Sequence, residues 1–319
     1  MFTQPFSRDI ADYPDGIVLP VDKPYRWTSA DVIRKVKFAA IKHFGKKNLK
    51  VGHAGTLDPL ATGVLLVCIG PATKRAETLQ KSDKEYIAEI SFGATTPSYD
   101  LEKPIDAFYP VDGVSREALL KVLPDFVGEQ EQIAPLFSAK SIDGVRAYEL
   151  ARKMFRRGEP IDDSILQRSI ITISEIELLG FVPGTVSQHG DFSTSLQMTV
   201  LSSRPSPSLS SRPSEARGEI SRLRAEPSAR DDMAASSAAG PVKPSPSSRI
   251  NVTDNSALGL PRATIRIACS KGTYIRALAR DIGEALGSGA HLSGLIRSRS
   301  GSYALADALS LEAALSLLS

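Results

Sequence analysis

Val51-Gly52-His53-Ala54-Gly55-Thr56-Leu57-Asp58-Pro59-Leu60-Ala61-Thr62-Gly63-Val64-Leu65 is the stretch on which the fold of this chain turns. Its three glycines and Asp-Pro step predict a tight loop, and the apolar run Val64-Leu65-Leu66-Val67-Cys68-Ile69 predicts a buried strand after it. One carboxylate, Asp58, stands just ahead of that strand, and Pro59 biases it toward an extended or turn conformation. An isolated Asp-Pro reads as a turn aspartate that bonds its own backbone. Here Gly52, His53, Gly55 and Thr56 share the same few residues with it. Such a loop brings backbone close to a ligand while holding one acid in place.

Upstream, residues 16–24 read as a strand ending at Pro24. Thr28 and Ser29 offer helix N-caps, and Asp31, three residues after Thr28, fits a capping box. The helix should run to about Phe44, with Gly45 as its stop and Val32, Ile33, Val36, Ala40 and Phe44 as its apolar face. Arg34, Lys35, Lys37, Lys42, Lys46, Lys47 and Lys50 form the densest basic cluster of the first half, which equally fits a solvated helix face.

Downstream, a helix over about 72–81 and a strand over 85–93 precede a long loop, 94–114, that contains Asp100. A short helix (115–126), a hairpin around Asp143-Gly144, a helix ending in Arg152, Lys153, Arg156 and Arg157, and a long β-branched strand (169–181) follow. Residues 202–260, between strand-like runs at 192–201 and 263–269, are rich in Ser, Pro, Ala and Arg and contain no aromatic residue. Such a segment buries too little apolar surface to offset its ordering entropy, so a disordered insertion between sheet neighbours is expected. At Lys271-Gly272 a turn leads into a helix over about 273–286, where the Lys271 ammonium, turn amides and helix start suit a phosphate. An amphipathic helix is expected at 311–318. Helices and strands mixed irregularly, with a hairpin, predict an α+β fold rather than regular parallel βαβ units.

Composition narrows the class. The 319 residues are 42% hydrophobic and 24% charged, ordinary for a globular protein. The N-terminus lacks a basic segment followed by an apolar core, and no apolar run approaches a membrane span, so a cytoplasmic protein without membrane contact is expected. Cys68 and Cys269 fall in apolar strand-like runs and read as buried reduced thiols. Of the 39 basic and 36 acidic residues, eight and six lie in 203–260, so the remainder is nearly neutral and any RNA must be held by local patches. No His/Cys cluster has metal-ligand spacing, no phosphate- or dinucleotide-binding glycine loop is present, and the four scattered histidines give no catalytic triad. The residues alone lead to an RNA-binding enzyme with an aspartate in a loop.

The Gly52-His53-Ala54-Gly55-Thr56-Leu57-Asp58-Pro59 string, with Ala61 and Gly63 behind it, resembles the catalytic motif of the TruB family of tRNA pseudouridine synthases. Asp22-Lys23-Pro24, Lys84-Glu85-Tyr86, the 138–146 hairpin and residues 270–276 recur in the family's order, so the resemblance covers most of the chain outside 202–260. It implies a pseudouridine synthase fold, with a mixed, mainly antiparallel central sheet flanked by helices and loops. It also implies an isomerase that flips out the T-loop uridine (U55) of tRNA and needs no cofactor. One catalytic domain over 1–319 is expected, with no clear C-terminal PUA domain, acting as a monomer on the tRNA T stem-loop without an obligate protein partner. By the same resemblance Asp58 is the nucleophile, Arg276 the cation that keeps it ionised, and Tyr86 the ring that stacks on the target base. His53 would fill the space the flipped nucleotide leaves. Lys23 would lie near the RNA or the pocket, Leu295 on the pocket wall, and Asp100 against RNA, although Thr96–Glu102 departs from the family pattern. Lys271 joins the RNA-binding set, and the 130–160 region resembles an RNA-clamping insertion. A synthase for another RNA, such as ribosomal RNA, and a non-catalytic tRNA-binding chaperone remain the alternatives.

Overall fold

The computed structural model describes residues 4–185, 250 and 252–319. Strands β1 (Ile17–Lys23) and β3 (Ala61–Ile69) pair antiparallel, with Ile17 opposite Ile69 and Lys23 opposite Gly63. Every residue of β3 except Thr62 is buried, as its apolar run predicts. Helix α1 (Ser29–Phe44) and the short strand β2 (Val51–Ala54) lie between them in sequence, so the head of the quoted stretch is strand rather than loop. The capping box forms: Thr28 Oγ1 accepts from the Asp31 amide at 3.0 Å, and the Asp31 carboxylate accepts from the Thr28 amide at 3.1 Å. Gly45 ends the helix in the left-handed region.

The next elements are α2 (Ala76–Lys81), β4 (Lys84–Phe92), β5 (Ala94–Thr95), β6 (Ala107–Phe108), α3 (Arg116–Val122) and β7 (Gly128–Gln132). Strands β8 (Ser141–Ile142) and β9 (Val145–Arg146) close the expected hairpin, with positive φ at both Asp143 and Gly144. Then come α4 (Ala147–Arg157), β10 (Ser169–Val182), β11 (Arg262–Cys269), α5 (Ile275–Ala285), β12 (Ala290–Ser300), β13 (Tyr303–Ala304) and α6 (Leu311–Ser316). The main sheet runs β1-β3-β12-β4-β11-β10-β7, with β2 also on β3 and β13 on β12. Its pairings are antiparallel except β12 with β3, where Leu295, Ile296 and Arg297 lie beside Ala61, Thr62 and Gly63. This is the expected α+β architecture.

Further details differ from the sequence expectation, among them the short strands β5 and β6 inside the expected 94–114 loop. Residues 70–75 form a 3-10 turn ahead of α2, because Pro71 enters at its start. The central strand β12 carried no strand prediction. The expected strand at 192–201 and most of 202–260 lie outside the described residues, but the expected insertion extends too far at its C-terminal end. The Thr253 amide donates to the Leu101 carbonyl at 2.8 Å, Ser256–Leu258 form a 3-10 turn, and Thr185 donates to Gly259 at 2.9 Å. Ile250, Val252, Leu258 and Leu260 return apolar side chains to a sequence that was Ser/Pro-rich just before them.

The main core fills the space between α1, α5 and α6 and the sheet, with Leu19, Val32, Val36, Leu65, Ile90, Ile265 and Leu278 at its centre. A smaller core of Ala134, Leu136, Phe137, Ala147, Leu150, Ala151 and Leu166 gathers the segment around α4. Cys68 and Cys269 are buried free thiols. Among the described residues, no helix is long and apolar enough to cross a membrane.

Candidate active site

The loop between β2 and β3 is pinned from beneath. Ser29, in the first turn of α1, donates from Oγ to the Leu57 carbonyl (3.1 Å) and accepts from the Leu57 amide (2.9 Å). The Ala61 amide donates to the Asp58 carbonyl at 3.1 Å, and the Arg26 amide to the Pro59 carbonyl at 2.9 Å. Lys23 adds its ammonium to the Pro59 carbonyl (3.2 Å) while also donating to Trp27 (2.6 Å) and Pro24 (3.0 Å). Its three donors are thereby occupied, and it is wholly buried. Burial pulls its pKa down to about 8, against the opposing pull of Asp58. Of the two places expected for Lys23, the RNA or the pocket, the structure sets it on the pocket side: its charge is spent on three carbonyls under the Asp58 loop, and it offers no surface to RNA.

Arg276 lies in the first turn of α5 and is 5% exposed. Its Nε donates to Asp58 Oδ2 at 2.9 Å and its Nη2 to Oδ1 at 3.2 Å, the paired-fork arrangement open to a guanidinium. Nη1 donates to the Ser98 carbonyl (3.0 Å) and Nη2 to the Phe137 carbonyl (2.9 Å). One side chain thus joins the Asp58 loop, the loop after β5 and the α4 segment. Asp100 approaches Arg276 Nε at 3.9 Å and accepts from Ser98 Oγ (2.6 Å) and the Glu102 amide (2.9 Å). Burial pushes its carboxyl pKa up, with Arg276 opposing. It faces the pocket interior and not an outer surface.

Asp58, Asp100, Arg276 and Leu295 converge on one small pocket, with Leu60, Leu101, Leu292, Ser293 and Gly294 among its other walls. Asp58 keeps 38% of its side chain exposed there, so the carboxylate faces the pocket while its cation is buried behind it. Tyr86, 9% exposed, lies on β4 opposite Arg297 of β12, and burial raises its phenol pKa. His53 is half-buried on β2, with its Nδ1 buried and without a hydrogen-bond partner among the described residues. Burial, then the Arg297 charge, lowers its pKa and leaves the imidazole neutral at pH 7. Neither Tyr86 nor His53 is a wall of the pocket. Lys271 is exposed on the turn before α5, away from these walls.

Sequence reasoning missed Arg297 and the carbonyls of Ser98 and Phe137. Carbonyl roles have no sequence signal. Arg297 stands in the polar run Arg297-Ser298-Arg299, which reads as surface. Gly63 marks its neighbourhood: at φ +98°, an added Cβ would lie 2.3 Å from the Arg297 carbonyl oxygen.

A family model described as TruB family pseudouridylate synthase (N terminal domain) matches residues 42–197. Another, described as tRNA pseudouridylate synthase B C-terminal domain, matches residues 276–318. The chain is 41% identical over 301 residues to tRNA pseudouridine synthase B of Phocaeicola vulgatus, covering 94% of this chain and 92% of that protein. It is 35% identical over 296 residues to tRNA pseudouridine synthase B of Deinococcus radiodurans, covering 92% and 77%. Among solved structures, the crystal structure of a Cbf5-Nop10-Gar1 complex aligns with a TM-score of 0.51 at 21% identity, over 98% of this chain and 57% of that one. That likeness bears on the fold alone.

Proposed function

The chain belongs to the TruB family of pseudouridylate synthases, and on that footing we propose that it isomerises the T-loop uridine of tRNA to pseudouridine with Asp58 as its nucleophile. The observation that carries this reading is the bidentate Arg276–Asp58 pair at the wall of a small pocket, with the carboxylate partly exposed into it. A carboxylate recessed this way is out of reach of a uridine still stacked in its loop, so the nucleotide must flip out to meet it. The two family matches fall on either side of the pair, Asp58 within the first and Arg276 at the start of the second.

The reaction breaks the N-glycosidic bond, turns the uracil and rejoins it through C5. The Asp58 carboxylate attacks an electrophilic carbon of the nucleoside, C6 of the base or C1′ of the sugar, to give a transient covalent bond. Arg276 keeps the carboxylate ionised and its oxygens in register as the pocket dries. Leu295 packs against the base, and the Tyr86 ring stacks on it once it is seated. His53 fills the gap in the T loop as a neutral ring, which avoids placing an unpaired charge among stacked bases. Lys23 holds the loop from beneath, and Asp100 holds Arg276. The exposed Arg152, Arg156 and Arg157 of α4 and the exposed Lys37, Lys47 and Lys50 supply phosphate contacts, with Lys271 at the turn before α5. We read the chain as one catalytic domain acting as a cytoplasmic monomer. The packing of Leu311, Ala314, Leu317 and Leu318 into the main core supports treating the C-terminal segment as part of it.

Tritium release from a tRNA transcript labelled at C5 of its uridines tests the reading, because forming the new bond at C5 must expel that hydrogen. One equivalent released per tRNA by wild type, and none by Asp58→Asn, is the expected result. Tight tRNA binding without release by wild type would favour a chaperone or a different RNA substrate.

A further inference from the structure

Arg297 is 1% exposed and, with Lys23, among the largest fully buried side chains. Its Nε donates to the Val64 carbonyl at 2.7 Å, its Nη2 to Gly55 at 3.1 Å and its Nη1 to Thr56 at 3.4 Å. Among the described residues it forms no ion pair with a carboxylate. Burying an uncompensated guanidinium is costly, and an apolar chain of similar volume would fill the space without that cost. What the charge holds is therefore informative. Gly55 and Thr56 lie on one side of Asp58 and Val64 on the other, so a single side chain from β12 ties both ends of the loop whose apex is the carboxylate. Backbone register brings the rest of the site to the same place. Arg297 sits beside Gly63 on β3 and opposite Tyr86 on β4, and it shares a strand face with Leu295 of the pocket wall.

We propose that Arg297 is a positioning residue for the reaction: it closes the 55–64 loop as a rigid arch that sets Asp58 in the pocket and fixes Tyr86 alongside. The inference rests on the reading of Asp58 as nucleophile. A lysine at 297 keeps the charge but replaces three spread N–H donors with a single nitrogen, so it holds the two ends of the arch less rigidly. A methionine keeps the bulk and loses both.

The experiment compares wild type, Arg297→Lys, Arg297→Met, Asp58→Asn and a distant core control, Leu119→Ala. It uses single-turnover tritium release, the Kd for a T stem-loop RNA, and hydrogen exchange of the peptide covering 52–62. Arg297→Lys should lose on the order of 10- to 100-fold in rate with Kd within about 3-fold, Arg297→Met should lose more, and exchange should rise in 52–62 ahead of the other strands. Leu119→Ala, destabilised elsewhere, should keep the wild-type rate. A wild-type rate for Arg297→Lys, or a loss matched by Leu119→Ala with exchange rising evenly, would overturn the proposal. If neither Arg297 variant folds, the wild-type protein decides: an arch held this way protects the hydrogen-bonded Leu57 and Ala61 amides about as well as β3, and fast exchange at both overturns it. Activity surviving in Asp58→Asn would sink the nucleophile reading instead, which separates the two failures.

Discussion

Replacing Arg276 with alanine removes four hydrogen bonds made by one buried side chain. Two of them reach Asp58, whose side chain is 38% exposed, so water replaces part of what is lost. Those two are worth the low end of the roughly 1.5–3 kcal/mol typical of a hydrogen bond to a charged group. The Ser98 and Phe137 carbonyls lose their guanidinium donors inside the protein, at about 1 kcal/mol or more each. Asp100, buried 3.9 Å from the same nitrogen, loses the cation that opposes its neutralisation. Together these give a stability loss of about 3–5 kcal/mol, within the roughly 5–15 kcal/mol that holds a domain folded. The effect on rate has a separate origin. A nucleophile displaced by about 1 Å costs on the order of 100-fold, equivalent to about 2.7 kcal/mol of barrier. Single-turnover tritium release should therefore fall by on the order of 10²–10³, with the Kd for a T stem-loop RNA within about 3-fold and the urea midpoint clearly lowered. A folded Arg276→Ala protein that releases tritium at the wild-type rate would refute the reasoning, because Asp58 would then hold its position and charge unaided.

Tyr86→Phe keeps the ring and removes the hydroxyl beside Arg297; single-turnover rates should fall about 10-fold with RNA affinity unchanged, and full activity would confine Tyr86 to stacking. Gly63→Ala forces a side chain against the Arg297 carbonyl at φ +98° and should cost roughly 2–3 kcal/mol by urea titration; a neutral result would mean β12 yields there. Lys23 titrates near 8 in the folded protein against 10.5 in the unfolded chain, so the unfolded state binds more protons between those values. Stability should accordingly rise with pH through that window, by at most about 1.4 kcal/mol per pH unit from this group. Lys84 shares the window, so the wild-type stability minus that of Lys23→Met isolates Lys23, and a flat difference between pH 8 and 10 would contradict the assignment.

Local signals in the sequence carried far. Thr28 and Asp31 announced a capping box that forms, Asp143-Gly144 a two-residue turn that forms, and the run from Val64 to Ile69 a strand buried on both faces. What failed was the middle of the sheet. Strand β12 reads His291-Leu292-Ser293-Gly294-Leu295-Ile296-Arg297-Ser298-Arg299-Ser300, and its register against β4 shifts twice, so period-two alternation never develops. Arg297 and Ser300 are buried there although both residue types are ordinarily found at the surface, and His291 is buried beside them. The same blindness affected Lys23 and Asp100. Asp100 was expected against RNA and Lys23 near the RNA or the pocket, and both are buried because backbone carbonyls or Arg276 stand where solvent would be. Sequence spacing names the groups at a site but not which of them face its substrate, and that is decided by strands hundreds of residues apart.

The parallel pairing of β12 with β3 also bears on how the chain is made. The bond from Arg297 to Val64 spans 233 residues, and at roughly 5–20 residues per second a ribosome takes on the order of 10–50 s to cross that distance. Through that interval β4 waits without β12 and β3 with its first three residues unpaired on that side, beyond the reach of β2, and the open edge of β4 is able to pair with another chain. Asp58 leaves the exit tunnel long before Arg276 and Arg297 exist. A prematurely released chain is then an aggregation hazard and not a partly active enzyme, so helpers that shield nascent strand edges should matter more to the yield of this protein than to its final stability.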